Sequence, residues 1–149
     1  MNETTLTDSL WPASIKIDAQ SPVSILRTQA NLLTKITKGI LKGEVETERG
    51  ENKIQHRLIV IAPSLDNYRQ TLLVAIHEVG LPYPVELRSN SLLFTEEHIS
   101  EYGDMVKAQV YRSAYSDDEM RQLLAKALDS QETKSILLSL IANSNEVSV

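Results

Sequence analysis

The sequence predicts a single α+β domain, in which a long N-terminal helix packs on a small, mainly antiparallel sheet and two C-terminal helices complete the core. Three observations support this class. Residues 53–63 end in four consecutive apolar side chains, three of them β-branched, which indicates a buried strand. Residues 21–43 carry apolar side chains at helical spacing. Residues 116–141 contain two further amphipathic segments of the same period.

The first helix has clear boundary signals in the sequence. Ser21 is a candidate N-cap, Pro22 suits the first helical position, and Gly43 is a candidate C-terminal stop. Residues 44–49 then alternate glutamate with other residues, which is typical of an edge strand protected by charge. A turn of Gly-Glu-Asn follows, so this edge strand and the buried strand 53–63 form a predicted hairpin.

The secondary-structure signals in the middle of the chain are less decisive. Residues 68–79 fit a strand by alternation and a helix by a stripe of apolar residues, and we favour the strand. Residues 81–84, Leu-Pro-Tyr-Pro, are expected to form a rigid exit before a short strand at 85–87. Residues 95–102 are predicted to be a short helix and residues 105–111 a strand.

The C-terminal third has stronger signals. Ser116 and Glu119 have the spacing of a capping box, and four apolar side chains and an alanine follow on one helical face. Ser130 is the candidate cap of a second helix, which we expect to end near Asn143.

Composition limits the function classes. The chain has 149 residues and no cysteine, which excludes thiolate zinc sites and thiol catalysis and is compatible with the cytoplasm. The N-terminus is polar and acidic, unlike a signal peptide. We expect a flexible arm over residues 1–20, one domain over residues 21–143, a flexible tail over residues 144–149, and no membrane segment.

Charge is distributed unevenly along the chain. Residues 95–149 hold ten acidic and five basic side chains, and this accounts for the whole net charge of -5. The first helical segment, by contrast, has no acidic residue and carries a basic stripe, which consists of Arg27, Lys35, Lys38 and Lys42. Basic residues near a helix C-terminus complement its dipole, so this stripe needs no function. The alternative is a surface for phosphate or nucleic acid.

Two further groups of side chains are candidates for chemistry. His56 and His77 share a face of neighbouring strands if residue 56 pairs with 75 or 77, but the sequence does not fix this register. No carboxylate joins them at a recognisable spacing, so we expect no metal and no cofactor. Asp66 and Tyr68 lie in a connection beside the core, where binding residues often occur.

No catalytic pattern emerges from these residues. The sequence therefore favours a small, non-catalytic, cytoplasmic interaction protein that binds another protein, as an immunity protein or adaptor does, with self-association as a further possibility. One alternative is a nucleic-acid or phosphate-ligand module that uses the basic stripe. The other is an enzyme with an unrecognised site near His56 and His77.

Overall fold

A computed structural model describes residues 8–13, 15, 19–89, 95–99, 103, 105–109 and 111–147, with backbone alone for 95–99 and 105–109. Three helices and seven strands account for most of these residues. The helices are α1 (Pro22–Ile36), α2 (Asp117–Leu128) and α3 (Gln131–Val147). The strands are β1 (Lys42–Arg49), β2 (Lys53–Ala62), β3 (Tyr68–Glu78), β4 (Leu81–Arg88), β5 (Thr95–Ile99), β6 (Met105–Gln109) and β7 (Arg112–Ala114). A short 3₁₀ turn (Pro63–Leu65) connects β2 to β3.

Five strands form one antiparallel sheet in the order β1-β2-β3-β4-β7, and β5 pairs with β6 as a separate hairpin. One helix precedes this sheet and two follow it, so the predicted α+β class is confirmed. The prediction of a strand over residues 68–79 is also confirmed, since β3 continues the meander from β2. β1 is an edge strand as expected, and β2 has neighbours on both sides.

The hydrophobic core lies between one face of the sheet and the helices. Alternate residues of β2, from Leu58 to Ala62, point to this face and are buried. α1 packs mainly on β1, α3 on the 3₁₀ turn and β2, and α2 on β7. The largest fully buried apolar side chains come from both layers and are Leu26, Leu41, Val60, Leu73, Val85, Leu87 and Met120.

The opposite face of the sheet carries the three glutamates of β1. Two arginines offset most of their charge across the strands, because Arg57 pairs with Glu46 and Glu48, and Arg69 pairs with Glu44 and Glu46. These ion pairs are solvent-exposed, so each contributes at most about 1 kcal/mol to stability.

The predicted end of the first helix was wrong. α1 stops at Ile36, seven residues before the expected stop at Gly43. Lys38 and Gly39 have positive φ angles of 52° and 80°, and the Gly39 N–H donates to the Thr34 carbonyl at 2.9 Å. This bond is the Schellman closure that ends a helix. Ile40 and Leu41 keep helical spacing in the sequence, but they belong to the connection to β1.

Two predictions in the middle of the chain were also wrong. Residues 95–99 form strand β5, not the start of a helix over 95–102, and residues 100–102 lie outside the described part. Residues 81–84 belong to β4 rather than to a rigid exit. β4 tolerates its prolines because its pairing with β3 is interrupted between Leu81 and Glu86. The prediction of a strand near 105–111 is confirmed over Met105–Gln109.

The two C-terminal helices begin where predicted. The Ser116 hydroxyl accepts from the Glu119 N–H at 3.2 Å, and the Ser130 hydroxyl accepts from the Thr133 N–H at 3.2 Å. The Glu119 carboxylate accepts from the Tyr115 N–H, one residue before the cap. α3 extends beyond the expected end at Asn143 to Val147, since Ser144 is buried on its inner side.

Candidate functional site

The histidine pair is the most unusual arrangement of polar side chains in the described core. His56 of β2 pairs with Ala75 of β3, and Ile54 pairs with His77, so the two imidazoles are diagonal neighbours on the helix-facing side of the sheet. This is one of the two registers that the sequence left open. The rings are tilted by 32° and their centroids lie 5.0 Å apart.

Hydrogen bonds engage every ring nitrogen of the pair. His56 Nε2 lies 2.9 Å from His77 Nε2. His56 Nδ1 lies 2.8 Å from the Thr47 hydroxyl of β1, and His77 Nδ1 lies 2.8 Å from the Glu78 carbonyl oxygen. The pair is therefore the centre of a chain of three hydrogen bonds that crosses three strands.

Burial governs the charge of this pair. His56 is 4% exposed and His77 is 9% exposed. The pKa of His56 is lowered from 6.5 to about 4, mainly by burial and to a smaller extent by the charges of His77 and of Arg27 on α1. At neutral pH His56 is thus an uncharged hydrogen-bonding group.

The pair leaves no ring nitrogen free, and no third metal-ligating side chain joins it among the described residues. Its ring nitrogens already have partners, and a catalytic base needs one nitrogen free for the substrate. Within the described ranges, no group of three or more metal-ligating side chains exists. Arg27 also adds a positive charge near His56, which disfavours a cation.

The structure divides the basic stripe between three elements. Arg27 and Lys35 lie on α1, Lys38 lies in the turn after the helix, and Lys42 is the first residue of β1. All four side chains are exposed. The helical spacing that grouped them in the sequence therefore applies only to Arg27 and Lys35, because α1 ends at Ile36.

Asp66 and Tyr68 lie at the opposite end of the sheet from the turn that joins β1 and β2. Asp66 has a left-handed conformation with φ 55° at the end of the 3₁₀ turn. Tyr68 is half-exposed and borders an open cleft of about 530 Å³ between the start of β3 and α3. Asp66 does not line this cleft, so the structure does not join the two residues into one site.

A second concave surface, here called the α1–α3 groove, was not predicted. It has a volume of about 150 Å³ and is almost entirely apolar. Ile36 is 77% exposed and Leu32 is 40% exposed on its α1 side. The residues that line the groove are Gln29, Leu32, Leu33, Ile36, Leu58, Leu72, Leu128, Thr133 and Leu137.

The sequence contained a signal for this groove. The apolar stripe of α1 is wider than the face that packs on β1, since Leu32 and Ile36 lie one turn apart beside it. A stripe wider than its contact with the sheet leaves apolar surface for another contact.

No family model, curated protein or solved structure matches this chain. In the described part of the chain, no helix has the length and apolar character needed to cross a bilayer.

Proposed function

We propose that this chain is a non-catalytic interaction protein that binds another protein chain through the α1–α3 groove. The observation that supports the proposal is the exposure of Ile36 and Leu32 on the rim of an apolar depression. Contiguous exposed apolar surface with a polar border is typical of protein-binding sites. A groove between two helices also suits an apolar helix face of a partner.

Charges beside the groove favour a second copy of the chain as the occupant. The α1 side carries Lys35, with Lys38 just beyond the helix end. On the other side, Asp129 follows the lining residue Leu128 and Glu132 precedes the lining residue Thr133 in sequence, and Lys134 pairs with Asp129 at 3.1 Å, which leaves one net negative charge. A two-fold axis through the groove places the basic side of each copy against the acidic side of the other, as an isologous interface requires.

This proposal includes the expected cytoplasmic location, which rests on the absence of cysteine and not on the fold. It does not use the buried histidine pair, because a partner that binds at the surface does not reach residues 4% and 9% exposed.

Sedimentation equilibrium of wild type and two matched variants tests the proposal. Ile36→Asp places a charge on the groove, and Leu138→Asp places one at a position 65% exposed that does not line it. We expect a concentration-dependent dimer for wild type and Leu138→Asp. Ile36→Asp should weaken association at least about tenfold, since burying a large apolar side chain contributes roughly 1.5–3 kcal/mol.

A photo-crosslinking amino acid at position 36, with position 138 as control, distinguishes a second copy of the chain from a different protein as the occupant of the groove. Dimer-sized adducts in the native cell confirm the second copy, and an adduct with a different protein keeps the function but replaces the partner. The proposal is overturned if wild type is monomeric and position 36 forms no protein adduct. Salt-sensitive retention of an oligonucleotide, lost on neutralising Arg27 and Lys35, then establishes the nucleic-acid alternative.

A further inference from the structure

The direction of the hydrogen-bond chain follows from the Glu78 carbonyl, which can only accept. His77 Nδ1 must therefore carry a proton, and in the neutral ring Nε2 is the acceptor. His56 Nε2 must then donate to His77 Nε2, which leaves His56 Nδ1 to accept from the Thr47 hydroxyl. Each neutral imidazole has a single tautomer that satisfies all its contacts.

One additional proton can enter this chain without loss of a contact. If His77 Nε2 is protonated, it donates to His56 Nε2, and the proton of His56 moves to Nδ1. His56 Nδ1 then donates to the Thr47 hydroxyl oxygen, which is also an acceptor. Two of the three hydrogen bonds reverse direction, and the heavy atoms keep their places.

A second proton cannot be accommodated in the same way. Both Nε2 atoms would carry hydrogen at a separation of 2.9 Å, and two imidazolium charges would face each other in a buried site. The nearby charges differ at the two ends. Arg27 of α1 opposes charge on His56. The charged neighbours of His77 along the strands, Lys53, Glu78 and Glu86, lie on the opposite face of the sheet from both imidazoles.

We propose that His56 and His77 form a buried site for one shared proton, and that a second proton separates the rings and loosens α1 from the sheet. The geometry assigns the first proton to the pair as a unit, because the contact between the two Nε2 atoms holds one proton in either direction without loss of a hydrogen bond. This proposal concerns the fold beneath α1 and is independent of what the α1–α3 groove binds.

Nitrogen-15 NMR of the imidazole rings in the full chain tests the assignment directly. At pH 8 we expect the Nε2–H tautomer for His56, the Nδ1–H tautomer for His77, and a scalar coupling between their Nε2 atoms across the hydrogen bond. On acidification, both rings should respond to one shared titration. The second protonation should coincide with loss of native amide resonances, as for strongly coupled sites.

The same measurement on two helix variants tests the role of charge. Arg27→Gln removes the cation that acts on His56, so the titration of the pair should move to higher pH by about a few tenths of a unit. Lys35→Gln removes an exposed charge two turns later on the same helix and should leave the titration unchanged.

Acid denaturation supplies a second readout. The pKa of His56 is lowered from 6.5 in the unfolded chain to about 4 in the folded chain, so the unfolded state binds more protons between these values. The contribution of His56 to stability is then fully present above pH 6.5 and is lost as the pH falls toward 4. The unfolding constant should rise by up to about tenfold per pH unit in this window.

Three results would overturn the proposal. The first is the same tautomer in both rings. The second is independent titration of the two rings near pH 6.5 with the fold intact. The third is a stoichiometric shift of both rings on addition of Zn²⁺ with a higher melting temperature, since that response identifies a metal site. If Arg27→Gln does not fold, the tautomers measured in the wild-type protein still test the proposal.

Discussion

Three serines begin the three helices of the described part of the chain. The hydroxyls of Ser21, Ser116 and Ser130 each accept from the backbone N–H three residues later, at 3.2–3.3 Å. Each bond satisfies a donor that the helix itself leaves unpaired. Such caps depend on a few consecutive residues, and for this reason all three were predictable from the sequence.

Ser116→Ala is the first prediction at this scale. Removal of the hydroxyl leaves the Glu119 N–H without its acceptor, and we expect the free energy of unfolding to fall by about 1 kcal/mol. Urea denaturation measures the change. Ser139→Ala, an exposed serine inside α3, is the control and should cause no loss, because alanine favours helix. An unchanged midpoint for Ser116→Ala would show that the cap does not stabilise α2.

The histidine pair shows which residue-scale features the sequence could not provide. Sequence reasoning found both histidines and the condition under which they share a face. It could not choose the register, because pairing depends on the turns and on a bulge between Leu58 and Ile59 that shifts the β2–β3 ladder. Their direct contact was therefore a conditional prediction until the pairing of residue 56 with 75 was known.

The errors at the scale of elements come from sequence patterns that continue beyond the element or suit a different one. The Thr-Glu-Glu sequence at residue 95 has the pattern of a helix start, but residues 95–99 pair with β6 instead. The apolar spacing of Ile40 and Leu41 extends the α1 pattern, but Gly39 closes the helix before them. In the first case pairing with another strand overrides the local pattern, and in the second a local Schellman closure at Gly39 ends the helix although the apolar spacing continues.

The packing of α1 on β1 requires glycine at position 43. α1 crosses β1 so closely here that a Cβ built on Gly43 would lie 2.3 Å from the Ala30 carbonyl oxygen. The obstacle is helix backbone, so no side chain can rotate to relieve it. Gly43 is therefore a contact point between α1 and β1 rather than the helix stop that the sequence suggested.

Gly43→Ala should consequently destabilise the protein. We expect a loss of about 1–3 kcal/mol, as for overpacking in a tightly packed interior, because α1 must move away from β1. The matched control is Gly80→Ala, where no atom lies within 4 Å of the added Cβ. Thermal or urea denaturation of both variants measures the difference. Equal stability of the two variants would mean that α1 does not approach β1 this closely.

At the scale of the whole molecule, charge and apolar surface support the same orientation of a partner. The five-strand sheet is covered by helices on one face, and ion pairs offset most of the charge of the β1 glutamates on the other. Lys35 precedes Ile36 of the groove lining in sequence, and Asp129 follows Leu128 of the same lining. The sequence predicted the unequal charge of its parts. It could not predict the groove, because its lining comes from four segments distant in sequence.

The final prediction concerns how these charges act on association. Lys35→Glu and Lys38→Glu together reverse the basic side of the α1–α3 groove without removing any apolar contact, since both side chains are exposed. We expect slower dimer formation and a weaker dependence of its rate on salt, because opposed charges act mainly on encounter and orientation. Stability should change by no more than about 0.5 kcal/mol.

Stopped-flow association at low and high salt measures this effect, and Lys53→Glu is the control. Lys53 is exposed at the start of β2, on the sheet face opposite the helices, so its reversal changes net charge without changing the charges beside the groove. Equal effects of both charge reversals would indicate a general response to net charge. A slower rate for the Lys35→Glu, Lys38→Glu variant alone would place the encounter at α1. In a dimer of wild type with this variant, one of the two contacts still joins a basic side to an acidic side. Mixing the two proteins should therefore restore part of the lost rate.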